Sequence, residues 1–338
     1  MMFPFTAIVG QEEMKTGLIL NVIDPAIGGL LIMGEKGTAK STAVRALAEL
    51  LPEMQVVKGC AFNCDPEGPL CDECEATLKR EKHLHQESKK MRVVELPLGI
   101  TEDRLIGALD IEHALKKGEK RFEPGILAAA NRNFLYVDEV NLLEDHIVDL
   151  LLDSAAMGVN TVEREGVSFS HPAKFILVGT RNPEEGDLRP QLLDRFGLCV
   201  QVVSILDAAA RIEILKRKAA FDADPVVFAL AWEREQATLS EKIILAKDRL
   251  KGIDLSDAVL EKIVGITAPL HLDGHRADIV TMKAAKVLAA FRGKEAIGVD
   301  DIRDAASLAL SHRLKRLPFE EIGEGNRKLT AALAGLQS

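Results

Sequence analysis

Eight consecutive residues near the N-terminus have the types and order of a loop that binds phosphate. They are, in order, Gly34, Glu35, Lys36, Gly37, Thr38, Ala39, Lys40 and Ser41. An apolar run, residues 29–33, comes directly before them, and residues 41–51 follow with apolar side chains at helical spacing. A loop between a strand and a helix presents backbone N–H groups and the positive end of the helix dipole to an anion. The segment therefore predicts a nucleotide site.

Within this segment Lys40 is expected to reach the β- and γ-phosphates of ATP, and the Ser41 hydroxyl to hold Mg²⁺. Thr42, the next residue, belongs to the same predicted site. The usual loop has glycine immediately before the lysine, where this chain has Ala39. A negative φ there tolerates a methyl group, whereas a positive φ costs on the order of 1 kcal/mol. Taken alone, the loop leaves open a strand–helix turn with no ligand.

Two acids follow a second apolar run. Residues 134–137 (FLYV) lead directly into Asp138 and Glu139. Acids at the end of a buried strand are unfavourable unless they face a cation or water. Asp138 is expected to support the Mg²⁺ of ATP, and Glu139 to orient and polarise the attacking water. Since parallel strands present their carboxyl ends to one crevice, both acids are expected to serve the same nucleotide as the loop.

Three further polar residues are candidates for the hydrolytic site. Asn182 follows a further predicted strand, residues 174–180, and is expected to help hold the attacking water beside Glu139. Arg195, in the segment LRPQLLDRF (188–196), is expected to stabilise the transferring phosphoryl group of a neighbouring subunit, with Arg189 as the alternative. Arg276 begins a predicted helix and could reach back to the γ-phosphate. The alternative for Arg195 and Arg189 is pairing with nearby surface acids.

Four of the five cysteines lie close together along the chain. Cys60, Cys64, Cys71 and Cys74 fall within the segment 58–76, whereas Cys199 stands alone in a predicted strand as a buried apolar residue. Four thiolates on a short loop suit a structural Zn²⁺ site, which is the favoured interpretation. An iron–sulfur cluster or free thiols remain open. His83 and His85 are expected to be solvated side chains rather than metal ligands.

Apolar runs separated by helical patterns occupy the first part of the chain, up to about residue 204. The runs are residues 29–33, 92–96, 134–137, 175–178 and 198–203. Strands that alternate with helices predict a parallel sheet covered by helices. After residue 204 only helical periodicity is found, at 208–218, 243–250, 258–267, 276–291 and 299–314. The chain is therefore predicted to be an α/β core, residues 1–204, followed by an all-helical domain, residues 205–338.

Composition limits the class of partner. The chain has 338 residues and a net charge of −9, and only 4% of its residues are aromatic. Proteins that grip nucleic acid use basic grooves and stacking aromatics, so nucleic acid is not expected as the substrate. No run is long and apolar enough for a membrane span, and the first residues lack the features of a signal peptide. We expect a cytoplasmic protein without a membrane partner.

Several stretches strongly resemble the ATPase subunit of magnesium chelatase, a family of AAA+ ATPases. They are residues 96–104 (LPLGITEDR), 107–112 (GALDIE), 122–125 (FEPG), 138–146 (DEVNLLEDH) and 182–186 (NPEEG). Residues 7–11 (AIVGQ), which include Ile8 and Val9, resemble the segment that lines the adenine pocket in AAA+ proteins. The resemblance covers about residues 5–198, and it is looser in the second domain, chiefly around 274–276 (GHR).

The resemblance implies an AAA+ phosphate-loop NTPase core with a C-terminal helical lid, and Arg276 matches the family's second sensor arginine. It implies a helix-2 insert at about 107–124 and a hairpin before the first sensor at about 159–169. It further implies a hexameric ring that works with a second AAA+ subunit bearing an integrin-like domain and with a large porphyrin-binding subunit. The family inserts Mg²⁺ into protoporphyrin IX, on the route to chlorophyll. The cysteine loop is not a required part of that pattern.

Other functions share the same motor residues. A cobaltochelatase-like ATPase, or a MoxR-type ATPase that matures metalloenzymes, differs from a magnesium chelatase only in its partners. A nucleic-acid motor is disfavoured by the charge and the scarcity of aromatics. A scaffold that does not hydrolyse ATP is disfavoured by the presence of Lys40, Asp138, Glu139 and Asn182, although Ala39 leaves it open.

Overall fold

The computed structural model describes residues 1–109, 122–164, 167–182, 184, 186, 188–314 and 324–335. The chain folds into two compact units. The bipartite unit comprises Met1–Ala43 and Arg181–Ser338, and the middle unit comprises Val44–Thr180. The sequence predicts a different division, at residue 204, between an ATPase core and a helical domain, and that division stays a prediction.

Strands occur up to Val202 in the described chain, and helices occur in both units. The strands are β1 Leu30–Gly34, β2 Met54–Val57, β3 Gln86–Lys89, β4 Val93–Glu95, β5 Gly107–Leu109, β6 Phe122–Pro124, β7 Phe134–Val137, β8 Val159–Arg164, β9 Val167–Pro172, β10 Ile176–Arg181 and β11 Leu198–Val202. The helices are α1 Glu12–Ile23, α2 Lys40–Leu50, α3 Asp72–Glu81, α4 Glu102–Ile106, α5 Ile126–Ala130, α6 Asp145–Met157, α7 Pro190–Arg195, α8 Ala208–Ala223, α9 Pro225–Ala231, α10 Glu233–Leu250, α11 Asp257–Thr267, α12 Arg276–Phe291, α13 Val299–Leu310 and α14 Glu324–Ala334.

In the bipartite unit, β1 and β11 pair in parallel, from Leu30 opposite Leu198 to Gly34 opposite Val202. Both strands are apolar along almost their whole length and are buried except at Met33 and Gln201, as expected for parallel strands covered on both faces. Helix α1 packs on them through a buried apolar face. A Cβ at Gly17 of α1 would lie only 2.9 Å from a methyl of Leu30, so the glycine allows this helix to approach the strand closely.

The C-terminal half of the bipartite unit is helical throughout the described residues. Helices α12 and α13 pack through alanines, which include Ala284, Ala285, Ala305, Ala306 and Ala309, all fully buried. Between them Asp301, which is also fully buried, accepts hydrogen bonds from Arg292 Nη1 at 2.7 Å and Lys294 Nζ at 2.9 Å. It also accepts one from the backbone N–H of Gly298 at 2.8 Å, which caps α13. The helix pair is therefore held by close packing and by one satisfied buried carboxylate.

In the middle unit, β4, β7 and β10 run parallel, with Val93 opposite Phe134 and Ile176 opposite Phe134 on the other side. All four residues of β7 are buried, which fits the central position of this strand in the unit. The predicted fold class, an α/β core with parallel strands followed by helices, is confirmed. In the described residues, no helix is both long and apolar enough to cross a membrane.

Three antiparallel pairs complete the middle unit: β2 with β3, β5 with β6, and β8 with β9. The pair β8–β9 lies in the stretch for which the family resemblance implies a hairpin, and residues 165–166 between its strands are outside the described residues. The same holds for residues 110–121, the centre of the predicted insert, whose base is the pair β5–β6. Helix α3 ends at Glu81, and the next residue, Lys82, has a φ of 65°, in the left-handed region.

Candidate functional site

The phosphate loop is held in shape by its own polar groups. The ammonium of Lys40 donates to the carbonyls of Gly34 at 2.6 Å and Glu35 at 2.9 Å, so it lies over the loop at the start of α2. The Thr38 hydroxyl donates to the Glu35 carbonyl at 2.9 Å. A Cβ at Gly34 would lie 2.2 Å from the carbonyl oxygen of Val202, so only glycine fits where β1 leads into the loop. Each of these contacts is internal to the bipartite unit.

Ala39, the residue that departs from the usual loop, adopts a φ of 63°. Its carbonyl accepts the hydrogen bond from the N–H of Ala43 at 2.9 Å, so Ala39 directly precedes the first turn of α2. The question left open by the sequence is thereby answered. The methyl group sits in the left-handed region, at a cost of about 1–2 kcal/mol relative to a conformation with negative φ.

The predicted adenine segment lies near this loop in the bipartite unit. Gln11, which has a φ of 56°, donates from Nε2 to the carbonyl of Val203 at 3.0 Å. Val203 follows Val202, and Val202 is paired with Gly34. The Ser204 hydroxyl also donates to a carboxylate oxygen of Glu35 at 2.9 Å. Residues 7–11 and the phosphate loop therefore meet at the carboxyl end of the β1–β11 pair, with Ile8 buried and Val9 half-buried.

The two predicted acids lie at the end of β7 in the middle unit, and Thr180 of β10 connects them. The Thr180 hydroxyl donates to Asp138 Oδ1 at 2.7 Å and accepts from the backbone N–H of Glu139 at 3.0 Å. The Tyr136 hydroxyl donates to the same Oδ1 at 3.1 Å. Burial, and then the neighbouring Asp138 carboxylate, raise the pKa of Tyr136, so the phenol stays protonated and remains a donor. These bonds fix the orientation of the Asp138 carboxylate.

Glu139 itself adopts a φ of 56° and a ψ of 58°, in the left-handed region. A non-glycine residue there is strained, and such strain is typical of residues whose side chain must be aimed in one direction. The N–H of Glu139 is held by Thr180, so the strained conformation has a defined support. Sequence reasoning missed Thr180 because threonine within an apolar strand has no signature of its own.

Asn182 is buried and lies just beyond the end of β10, where its Oδ1 accepts from the N–H of Glu184 at 3.4 Å. Its predicted action beside Glu139 stays a prediction. Arg195 is the last residue of α7, and Arg189 directly precedes that helix. The structure thus puts both candidate arginines on one short helical segment of the bipartite unit.

A third arginine, which sequence reasoning missed, secures this segment. The Arg313 side chain is 2% exposed, and its Nε donates to Asp194 Oδ1 at 3.0 Å. Its Nη atoms donate to the carbonyls of Asp194 at 2.9 Å, Phe196 at 2.7 Å and Gly197 at 3.0 Å. Asp194 Oδ2 also lies 3.5 Å from Nη1 of Arg276. Arg276 and Arg313 therefore converge on the residue next to Arg195.

The surroundings of Arg313 include two groups whose protonation is shifted. Burial, and then the adjacent guanidinium, lower the pKa of His312 to about 3, so this histidine is neutral. Its Nε2 lies 3.2 Å from the Phe196 carbonyl oxygen. Burial raises the pKa of Cys199 to about 12, and the thiol is only 2% exposed. Cys199 is the buried, apolar residue that its position in the sequence predicts.

The four clustered cysteines come together in the middle unit. Their sulfur atoms all lie within 4.8 Å of one another, and Cys60 Sγ is 3.9 Å from Cys71 Sγ. Cys64, Cys71 and Cys74 are buried, and Cys60 is half-buried. Hydrogen bonds from the Cys64 and Cys71 thiols lower the pKa of Cys60, which favours its thiolate. This arrangement is suited to one metal ion with four sulfur ligands.

Backbone N–H groups point at two of these sulfurs. The N–H of Phe62 donates to Cys60 Sγ at 3.4 Å, and the N–H of Cys71 donates to Cys64 Sγ at 3.2 Å. Such bonds stabilise thiolate charge and orient metal ligands. His83 and His85 are exposed, with ring centroids 4.8 Å apart, and the group of candidate ligands found in the described residues consists of the cysteines alone.

Two family profiles match the chain. The AAA domain of the dynein-related subfamily matches residues 77–196, and the AAA lid domain matches residues 260–332. The first match includes Asp138, Glu139, Asn182 and Arg195, and the second includes Arg276.

Curated relatives match almost the whole chain. A magnesium-chelatase subunit ChlI homolog from Methanocaldococcus jannaschii is 58% identical over 94% of this chain and 87% of its own length. The chloroplastic magnesium-chelatase subunit ChlI of Chlamydomonas reinhardtii is 54% identical over 96% of this chain and 78% of its own. A structure of the complex between subunits BchI and BchD of magnesium chelatase is 47% identical, with a TM-score of 0.57, and covers 98% of this chain and 99% of that one.

Proposed function

Because this chain belongs to the ChlI and BchI family of magnesium-chelatase subunits, we propose that it hydrolyses ATP as the motor subunit of a metal chelatase. Its reaction drives insertion of Mg²⁺ into protoporphyrin IX by a larger complex. The observation that carries the proposal is the 58% identity to a magnesium-chelatase subunit homolog over 94% of the chain.

The chain's own residues divide the work of hydrolysis. In the bipartite unit, residues 34–42 bind the phosphates, with Lys40 on the β- and γ-phosphates, and Ile8 and Val9 line the adenine pocket. Ser41 and Asp138 provide oxygen ligands for the Mg²⁺ that accompanies ATP. Their chemistry fits this hard cation, and the hydrogen bonds from Tyr136 and Thr180 fix the orientation of the Asp138 carboxylate.

Glu139 orients and polarises the attacking water, and Asn182 assists it through its amide. Arg195 stabilises the phosphoryl group bound by a neighbouring subunit, and Arg276 links the lid to the nucleotide state. The observation that Arg313 and Arg276 converge on Asp194 supports a shared role for this segment. In this scheme residues 1–204 act as the motor core, with the insert at 107–124 and the hairpin at 159–169, and residues 205–338 act as the lid.

The partners follow from the family. We place the chain in a homomeric ring, a hexamer, in the cytoplasm, with a second AAA+ subunit that carries an integrin-like domain and a large porphyrin-binding subunit. The likeness to a solved BchI–BchD complex supports the second AAA+ subunit in particular. Cobalt insertion by related partners is the alternative, since the motor residues are the same.

The cofactors are ATP, Mg²⁺ and one structural Zn²⁺ at the cysteine loop. Four sulfurs at about 2.3 Å from a tetrahedral Zn²⁺ are about 3.8 Å apart. The separation of 3.9 Å between Cys60 and Cys71 agrees with that value. An iron–sulfur cluster places several ions between its thiolates and needs a larger spread of sulfurs.

The first test is ATP hydrolysis as a function of protein concentration. Because each site needs a neighbour's Arg195, activity per subunit rises with concentration, and Lys40→Ala abolishes it. Lys251→Ala, which removes an exposed lysine at the end of α10, retains full activity. Activity per subunit that does not change with concentration, from the most dilute sample upward, would remove the shared site from the mechanism.

A mixing experiment then identifies the arginine. Arg195→Ala and Glu139→Gln are each inactive alone, but a mixed ring contains sites in which an intact Glu139 faces an intact Arg195 from the neighbour. Mixing the two variants therefore restores part of the activity. If mixing restores none while Arg189→Ala with Glu139→Gln does recover activity, the role passes to Arg189. Reconstitution with partner subunits and Mg²⁺ or Co²⁺ identifies the ion delivered.

A further inference from the structure

The cysteine loop carries an aromatic side chain that reaches beyond the sulfur cluster. Phe62 is buried and belongs to the same apolar cluster as Cys64, Cys71 and Cys74. The backbone N–H of Phe62 donates a hydrogen bond to the Cys60 sulfur, so the position of Phe62 depends on the position of that cysteine. Whatever fixes the sulfurs therefore also fixes this ring.

The Phe62 ring contacts two β-hairpins. It stacks on His171 with centroids 4.6 Å apart and lies 6.0 Å from Phe169, both on β9. It also lies 6.2 Å from the Phe122 ring on β6. Phe122 and Phe169 stack on one another at 4.1 Å with an interplanar angle of 15°. Stacked aromatic pairs contribute beyond the area they bury, so the four rings join the β5–β6 and β8–β9 hairpins to the cysteine loop.

Polar contacts attach the other side of the loop to the start of β7. The Asn131 amide donates to the Phe62 carbonyl at 2.6 Å and accepts from the N–H of Lys174 at 2.8 Å. Arg132 donates to the Gln55 carbonyl at 2.6 Å and pairs with Asp65 of the cysteine loop at 3.2 Å. The loop is thus placed between the central strand of the middle unit and the two hairpins.

The β5–β6 pair is short, so its stability depends on what packs against it. Residues 159–163 of β8 alternate between exposed and buried, and β5–β6 is only three residues long on each side. Pairs of this length are marginal unless something packs against them. In addition, His171 is buried, and burial lowers its pKa, so the ring stacked on Phe62 is neutral.

We propose that Zn²⁺ bound by Cys60, Cys64, Cys71 and Cys74 braces the roots of both hairpins through Phe62. This rests on the Zn²⁺ site of the proposed function. The ion fixes the four sulfurs, and the hydrogen bond to the Cys60 sulfur fixes the Phe62 backbone. The Phe62 ring then packs against Phe122 and against Phe169 and His171 of β9. Loss of the ion loosens β5–β6 and β8–β9 and leaves β7 unchanged.

The experiment uses the full chain and combines elemental analysis with hydrogen exchange. Wild type and the Cys74→Ala and Cys199→Ala variants are analysed for zinc, iron and sulfide, and exchange is followed in peptides from residues 107–109, 122–124 and 159–172. Residues 134–137 serve as the internal reference. Cys199→Ala is the matched control, because Cys199 is buried but lies outside the cluster.

The wild type and Cys199→Ala are expected to contain one zinc per chain, and Cys74→Ala to contain little. Exchange in both hairpins of Cys74→Ala is expected to rise about tenfold or more, with β7 unchanged. Phe62→Ala separates the ring from the ion: it keeps its zinc, yet loosens the same hairpins. This second variant decides the matter if Cys74→Ala unfolds as a whole.

If hydrogen exchange in the hairpins is unchanged in zinc-free protein, or in Phe62→Ala, Zn²⁺ does not support the hairpins through Phe62. The proposed Zn²⁺ site itself would not be affected by that result. Wild type without zinc overturns both the ion and the brace. Neither result touches the proposed ATPase, because ATP hydrolysis by the wild-type sample is measured separately and depends on other residues.

Discussion

The substitution Ala39→Gly is expected to stabilise the bipartite unit. Ala39 has a φ of 63°, which costs alanine about 1–2 kcal/mol and glycine nothing. Glycine in turn raises the conformational entropy of the unfolded chain, which costs about 0.4–1 kcal/mol. The net expected increase in the free energy of unfolding is about 0.5–1 kcal/mol.

A matched substitution isolates the strain from the entropy. Ala219 is exposed in the interior of α8, in the same unit, where the backbone is helical. Ala219→Gly adds the same unfolded-state entropy but relieves nothing, so it lowers the free energy of unfolding by about 0.5–1 kcal/mol. The difference between the two variants, about 1–2 kcal/mol, is then the strain at Ala39 alone.

Unfolding in urea, without nucleotide, measures both variants. The single tryptophan, Trp232, lies in the bipartite unit with the Arg217 guanidinium 4.6 Å from its ring centroid, so its fluorescence reports the unfolding of this unit. Opposite signs for the two variants are the expected outcome. If Ala39→Gly destabilises the unit as much as Ala219→Gly does, the loop is not strained at this residue and the reasoning is refuted.

Three other substitutions test contacts that the sequence did not reveal. Thr180→Val removes the hydroxyl that orients Asp138, so the kcat of ATP hydrolysis is expected to fall about 10–100-fold with little change in KM, and Thr180→Ser to restore it. Arg313→Met leaves two buried carbonyls and Asp194 Oδ1 without the donor that Arg313 provides, and urea unfolding should show a loss of about 3 kcal/mol that Arg313→Lys does not recover. His312 has a folded pKa of about 3, below the unfolded value of about 6.5, so its contribution to stability is present above pH 6.5 and is lost as the pH falls toward 3. His312→Gln should flatten the loss of stability between pH 7 and 5 when urea unfolding is repeated across this range.

The parallel strands were predictable because each is a short apolar run between helical patterns, and all five runs appear as β1, β4, β7, β10 and β11. The phosphate loop and the acids after β7 were equally predictable, since each motif consists of residues that are adjacent in the sequence. The roles of these residues stay proposals. Their conformations, such as the φ of Ala39, could not be predicted, because the sequence is compatible with either sign of φ.

The contacts that were missed join distant parts of the chain. Thr180 meets Asp138 across 42 residues, and Arg313 meets Asp194 across 119. Neither threonine in an apolar strand nor arginine after a helix has a local signal for such a partner. Strand β3 was missed for a different reason: its residues, Gln86–Lys89, are all polar, so they lack the apolar alternation that marks a strand.

Residues with a strained backbone occur both in the segments proposed to hydrolyse ATP and in the cysteine loop. In the described residues, seven positions other than glycine have a positive φ. Three of them, Gln11, Ala39 and Glu139, belong to segments proposed to bind or hydrolyse ATP, and two more, Asn63 and Arg132, lie in or against the cysteine loop. Since each such residue costs about 1–3 kcal/mol, its surroundings must hold it in place. Thr180 holds Glu139 in its strained conformation through a hydrogen bond. On our proposal, the bound Zn²⁺ holds the cysteine loop around Asn63 in the same way. The strained residues therefore mark both the segments proposed for ATP hydrolysis and the segment proposed for structural support.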